Sequence, residues 1–143
     1  WDLRWQMTEQ KLIKIALEAR RFSYSPYSGF QVGAALLSCS GKVYTGCNIE
    51  NAAFSPSNCA ERTAFFKAVS EGVTEFSAIA IVGGKAGETA DNFCAPCGVC
   101  RQVMAEFCAP ETFRILLGKE NLEYKEYTLG EILPQGFGKG DIS

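Results

Sequence analysis

The sequence contains no histidine. That absence excludes Ser-His-Asp and Cys-His catalysis, zinc sites built on imidazole, and ordinary imidazole acid–base chemistry. A basic excess is missing too: 14 Lys plus Arg stand against 16 Asp plus Glu, a formal net charge of −2. A phosphate-binding surface needs clustered basic side chains to release counterions, so no nucleic acid is expected as a partner. No apolar run approaches the ~20 residues of a membrane span, and no membrane partner is expected. The stretch from Trp1 to Gln10 lacks the apolar core of a secretory leader, and it lacks an initiator Met, which points to an altered or clipped start. Repeats, low-complexity tracts and internal linkers are absent, and 143 residues suit a single domain, 1–143.

What is present has the balance of a soluble globular protein, with 47% hydrophobic and 21% charged residues. A chain of this length buries about two thirds of its unfolded surface and needs no disulfide staples. Seven cysteines are nevertheless present, an odd number that cannot pair completely within one chain. In the reducing, cytoplasmic setting expected here, such a density suggests metal binding or catalysis.

Periodicity and turn residues lay out the elements. Thr8 caps a helix carrying Leu12, Ile13, Ala16 and Leu17 at helical spacing, ending near Tyr24 before the loop Ser25-Pro26-Tyr27-Ser28-Gly29. Strands are predicted for Phe30–Leu37 and Val43–Asn48, joined at Ser40-Gly41, followed by a helix from Asn58 to Glu71. A buried strand, Ser77–Val82, leads through a loop to a helix over Cys97–Phe107, then to strands Phe113–Leu117 and Leu122–Tyr127. Thr128-Leu129-Gly130-Glu131 reads as a capping box for a short last helix. The last two strands are too closely linked to be parallel neighbours, which need a dozen or more residues between them. The order αββαβαββα predicts an α/β fold, a three-layer α/β/α sandwich around a five-stranded mixed sheet.

Chemistry is concentrated in Cys59-Ala60-Glu61-Arg62 and Pro96-Cys97-Gly98-Val99-Cys100. Three Cys are an appropriate inventory for a catalytic zinc that keeps a fourth position for water. Cys97 and Cys100 are three residues apart at a helix start, and Cys59 lies at another, where the helix dipole and free N–H groups favour anionic sulfur. Three thiolates overcompensate a +2 ion, and Arg62 is placed to offset part of that charge. The cysteines alone also allow a closed structural zinc of four thiolates that enlists Cys94 with Cys59 or Cys108, or a thioredoxin-like redox pair at Cys97 and Cys100. Glu61, Arg62, Asn48 and Glu50 have no role in a structural zinc site, and Cys59-Ala60-Glu61 has none in a redox pair. Cys39, Cys47 and Cys108 read most simply as small buried apolar residues.

Cys59-x-Glu61 with Pro96-Cys97-x-x-Cys100 resembles the zinc nucleoside deaminase pattern in its all-Cys variant. The segments Tyr27–Leu36, Gly46–Ala53 and Cys59–Ala64 extend the likeness over nearly the whole chain, to the small homotetrameric cytidine deaminases. The resemblance implies one Zn2+ per chain on Cys59, Cys97 and Cys100. It implies ribose recognition by Asn48 and Glu50, with the Glu50 carboxylate disfavouring phosphorylated sugars, and base-edge recognition by the backbone around Ala60 and Pro96. It also implies rings of Phe30 and Phe137 on the pyrimidine, Phe137 coming from a neighbouring subunit of a homotetramer with shared active sites. Glu61 is implied as the proton carrier, taking a proton from the attacking water, delivering it to ring N3 and then serving the departing amine. The implied reaction is deamination of free cytidine and deoxycytidine to uridine and deoxyuridine with release of ammonia, a pyrimidine-salvage step.

Two positions depart from the family pattern. Phe54 stands where members often carry Tyr, and Cys94 is an extra thiol three residues before Cys97. Two other readings remain: a related zinc deaminase acting on another aminated pyrimidine, and a binding module with structural zinc.

Overall fold

Apolar side chains alternate along the central strands, and that alternation builds the layers. The computed structural model describes residues 7–142; residues 1–6 and 143, with most of the stretch searched for a leader, lie outside the described residues. In chain order the elements are α1 (Glu9–Arg20), β1 (Phe30–Ser38), β2 (Val43–Cys47), α2 (Ala60–Ser70), β3 (Phe76–Lys85), α3 (Gly98–Phe107), β4 (Arg114–Gly118), β5 (Tyr124–Thr128) and α4 (Leu129–Ile132). The strands form one sheet in the order β2-β1-β3-β4-β5. β3 and β4 run parallel and every other pair antiparallel, so the sheet is mixed, and the last two strands form the antiparallel hairpin their short link requires.

Ala34, Leu36, Ile79, Ile81, Ile115 and Leu117 share a core with Ala64, Phe65 and Met104 from the α2 and α3 side. The alternate positions Ala35, Ala78, Ala80, Val82 and Leu116 join Leu12, Ile13 and Ala16 of α1 in a second core. Helices thus cover both faces, giving the predicted α/β/α sandwich. Thr8 caps α1 by accepting from the Lys11 amide at 3.2 Å, and Thr128 and Glu131 make the reciprocal capping box of α4.

Boundaries shift where tertiary pairing overrides local pattern. α1 stops at Arg20, short of Tyr24, because the Tyr24 amide donates to Asn48 O at 3.0 Å and Tyr24 bridges Ile49 in extended form. β3 runs on to Lys85 because Phe30, Gln31 and Val32 pair with Lys85, Gly84 and Gly83. Leu122 turns the chain at φ 71°, so β5 begins only at Tyr124. Cys108 is buried, but Cys47 is only half-buried and Cys39 is exposed on the β1–β2 turn, which corrects their reading as buried residues. No helix among the described residues is long and apolar enough to cross a membrane.

One close approach sets the stage for the site. A Cβ on Gly46 of β2 would lie 2.3 Å from Ala60 O and 2.6 Å from the Ala64 amide. Only glycine lets the first turn of α2 rest directly on the sheet.

Candidate active site

The two helices on the same face bring their N-termini together. Cys59 is the N-cap of α2 and Cys97 the N-cap of α3, with Cys100 in the first turn of α3. Neither N-cap thiol is spent on capping its own helix, which leaves the sulfurs for other partners. The Sγ atoms of Cys59, Cys97 and Cys100 all lie within 4.8 Å of one another, with Cys59–Cys97 at 3.8 Å and Cys97–Cys100 at 3.4 Å. Among the described residues this is the only such cluster of metal-ligating side chains, and Cys94 is not part of it.

Charge at the cluster is managed by its neighbours. Arg62 Nη2 donates to Cys59 Sγ at 3.3 Å, while its Nε is buried without an acceptor, so the guanidinium is held at some cost for its contact with sulfur. A hydrogen bond from the Cys100 thiol, together with Arg62, outweighs burial and holds Cys59 down at about 5. Cys100, the donor in that pair and itself buried, is pushed up. Glu61, in the first turn of α2, is only 5% exposed. Burial, with the nearby Cys59 sulfur adding to it, raises its carboxyl to about 7.

These groups open onto a cleft of about 460 Å³ lined by Val32, Asn48, Glu50, Phe54, Ser55, Ser57, Asn58, Cys59, Ala60, Glu61, Arg62, Cys94, Ala95 and Cys97. Asn48 and Glu50 follow β2 at the rim, and each is already held. Asn48 Oδ1 accepts from the Val32 amide at 2.9 Å and from the Ser23 hydroxyl, and its Nδ2 donates to Phe30 O at 2.7 Å. Glu50 accepts from the Tyr27 and Ser28 amides at 3.0 Å each and from the Ser28 hydroxyl, and these bonds hold its carboxyl low. Both side chains are thereby fixed in direction, with hydrogen-bonding capacity left for a ligand.

Neither phenylalanine lines the cleft itself, but Phe30 borders its wall at Cys94. Phe30 opens β1, 39% exposed and outside the cleft lining, and its ring edge and the Cys94 thiol lie over Gly83. Phe137, 59% exposed, follows α4 beside a separate hollow, with its carbonyl accepting from Gln102 Nε2 at 2.8 Å. Some lining residues carried no functional signal in the sequence, while Cys94 stood out there as an extra thiol and a candidate fourth ligand. Val32 is one more apolar strand residue there, and Cys94, whose thiol burial pushes up to about 11, is a neutral wall rather than a ligand in this geometry. Phe54 takes a left-handed φ of 57° and sets its ring edge-on to Tyr27 at 6.1 Å.

The donor set fits a zinc ion. A tetrahedral centre with ~2.3 Å zinc–sulfur bonds has sulfur–sulfur edges of about 3.8 Å, comparable with those here. A buried carboxyl beside such a centre can move protons at neutral pH.

Comparison with known proteins agrees. A family model described as the cytidine and deoxycytidylate deaminase zinc-binding region matches residues 6–115. A protein of Sporosarcina psychrophila named cytidine deaminase is 49% identical over 137 residues, covering 96% of each chain. One of the same name from Halalkalibacterium halodurans is 48% identical, over 96% of this chain and 99% of its own. The crystal structure of cytidine deaminase from Burkholderia pseudomallei superposes with a TM-score of 0.82 at 46% identity, over 92% of this chain and all of the other.

Proposed function

The chain belongs to the cytidine deaminase family, and on that premise we propose that its cleft hydrolytically deaminates free cytidine and deoxycytidine to uridine and deoxyuridine, with release of ammonia. It is a hydrolase of the C–N bond of a cyclic amidine, serving pyrimidine salvage in the cytoplasm. The observation that carries the reading is Glu61, buried beside three clustered sulfurs at a cleft whose rim presents a fixed amide and a fixed carboxylate.

Cys59, Cys97 and Cys100 hold one Zn2+ per chain, and Arg62 offsets the excess negative charge of the sulfurs. When bound, the ion supplies the Lewis acidity that makes a water easier to deprotonate. Glu61 accepts that water's proton and delivers it to ring N3, which leaves the amine-bearing carbon open to attack. It then carries the proton of the newly added hydroxyl to the amine, so that ammonia leaves and the oxo base remains. Asn48 and Glu50 take the sugar hydroxyls, and the backbone around Ala60 and Pro96 takes the base edge. Phe30 packs on the pyrimidine, with Phe137 of a neighbouring subunit completing the pocket of a homotetramer.

Incubating purified protein with cytidine tests the proposal directly. Loss of the cytosine absorbance with one ammonia per turnover, from protein carrying one zinc per chain, is the expected result. Zinc-loaded protein that leaves cytidine and deoxycytidine unchanged removes the assignment.

A further inference from the structure

Residues 86–97 carry Cys94 and Cys97 with little regular structure of their own. This segment decides where α3, and so Cys97 and Cys100, meets Cys59. It crosses from one layer to the other: Ala90 is fully buried in the α1-side core, while Phe93 packs against the core under α2 and α3. Contacts from outside the site hold it along its length. Arg20 Nη2 donates to Lys85 O and Glu88 O at 3.0 Å each, at its start. In the β4–β5 turn the Glu120 amide donates to Ala90 O at 2.8 Å. Nearest the ligands, the ammonium groups of Lys119 and Lys125 both lie 4.8 Å from the centre of the Phe93 ring.

Two like charges over one ring repel each other, and the attraction of both for its negative face offsets that repulsion. Glu123, 3.2 Å from Lys119, relieves the remainder. The ring so gripped is adjacent to Cys94 and four residues before Cys97. We propose that Phe93, clamped by Lys119 and Lys125 of the β4–β5 hairpin, is a positioning residue that sets Cys97 and Cys100 at their distance from Cys59. The hairpin touches neither the cleft nor the sulfurs, yet it governs how tightly the metal is kept. This rests on the zinc reading above and not on the identity of the substrate.

The test reads the metal rather than turnover. Lys119→Met with Lys125→Met removes both charges and keeps the length of the side chains; Phe93→Leu removes the ring. Zinc release to an excess of chelator is expected about tenfold faster in both variants, the size two lost cation–π contacts allow. The visible d–d bands of the cobalt-substituted protein should shift, and Lys119→Arg with Lys125→Arg should restore both readouts. Glu123→Gln, which breaks only the ion pair, should leave them unchanged. A lower melting temperature with wild-type release and wild-type cobalt bands would make Phe93 merely a core residue and overturn the proposal. So would acceleration by Glu123→Gln equal to that of the lysine pair. Wild-type protein that takes up neither zinc nor cobalt would instead overturn the underlying metal reading.

Discussion

A carboxyl group 5% exposed beside a sulfur cluster is far from its behaviour in water, and Glu61, at about 7, can both take and give a proton near neutrality. No histidine exists to share that work, and lysine or arginine is normally protonated. Glu61→Gln keeps the size of the side chain and removes the titrating group. It is expected to fold and to hold its zinc while kcat falls at least ~10⁴-fold, the top of the range for acid–base catalysis, because the proposed mechanism uses the group more than once per turnover. A Gln variant within tenfold of wild type would take Glu61 out of the mechanism. The cysteines divide in the same way. Alanine at Cys59, Cys97 or Cys100 should cost the metal, whereas Cys94→Ala should keep about one zinc per chain by elemental analysis, as a three-ligand centre requires. Metal loss from Cys94→Ala would speak for a closed four-thiolate site.

Among the elements, the β2–α2 contact and the α1–β4–β5 charge network make separate demands. Gly46→Ala would drive a methyl group into Ala60 O, which sits one residue from both Cys59 and Glu61. It should cost ~1–3 kcal/mol or more in urea unfolding and lower zinc occupancy, while Gly140→Ala, with nothing within 4 Å, is close to neutral. Arg114 of β4 ties Glu9 of α1 at 2.9 Å to Glu126 of β5 at 2.8 Å, and its hydrogen bonds hold both carboxyls below their usual range. Groups depressed on folding stabilise the protein above their unfolded pKa of ~4.5 and lose that contribution as pH falls through the folded value. Arg114→Met should therefore lower Tm by a few degrees at pH 7, and the gap to wild type should close as pH falls below the unfolded value and through the lowered folded ones. A gap independent of pH would assign Arg114 to packing alone.

At the scale of the whole molecule, the discrimination proposed for the site rests on a fixed charge at its rim. Glu50 is oriented by two amides and a hydroxyl, so it cannot swing away from a phosphorylated sugar. Repulsion between that fixed carboxylate and a sugar phosphate should make cytidine monophosphate a ~10²-fold poorer substrate than cytidine, measured as kcat/KM. Equal turnover of the two would remove Asn48 and Glu50 from sugar recognition. Phe137 stands outside its own chain's cleft, so the role proposed for it needs a second chain. Sedimentation should give the mass of four chains, and Phe137→Ala should raise KM for cytidine more than it lowers kcat.

Periodicity, turn chemistry and short links determined the element order, the two-faced core and the antiparallel last hairpin, because each depends on residues near in sequence or on which face a side chain must bury. Cys97 and Cys100 were legible for the same reason: their spacing at a helix start fixes a shared direction before any packing occurs, whereas Glu61 was legible through the likeness of Cys59-Ala60-Glu61 to the deaminase pattern. Tertiary structure decided the rest. Tyr24 reads as the end of a helix until Asn48 and Ile49 claim its backbone, and β3 outruns its pattern only because β1 lies alongside. That Cys94 walls the cleft while Cys97 joins the cluster depends on the path of residues 86–97, which contacts from α1, the β4–β5 hairpin and the two cores impose. The carboxyl of Glu61 owes its pKa to burial, a property of the surrounding fold that no local run of residues encodes.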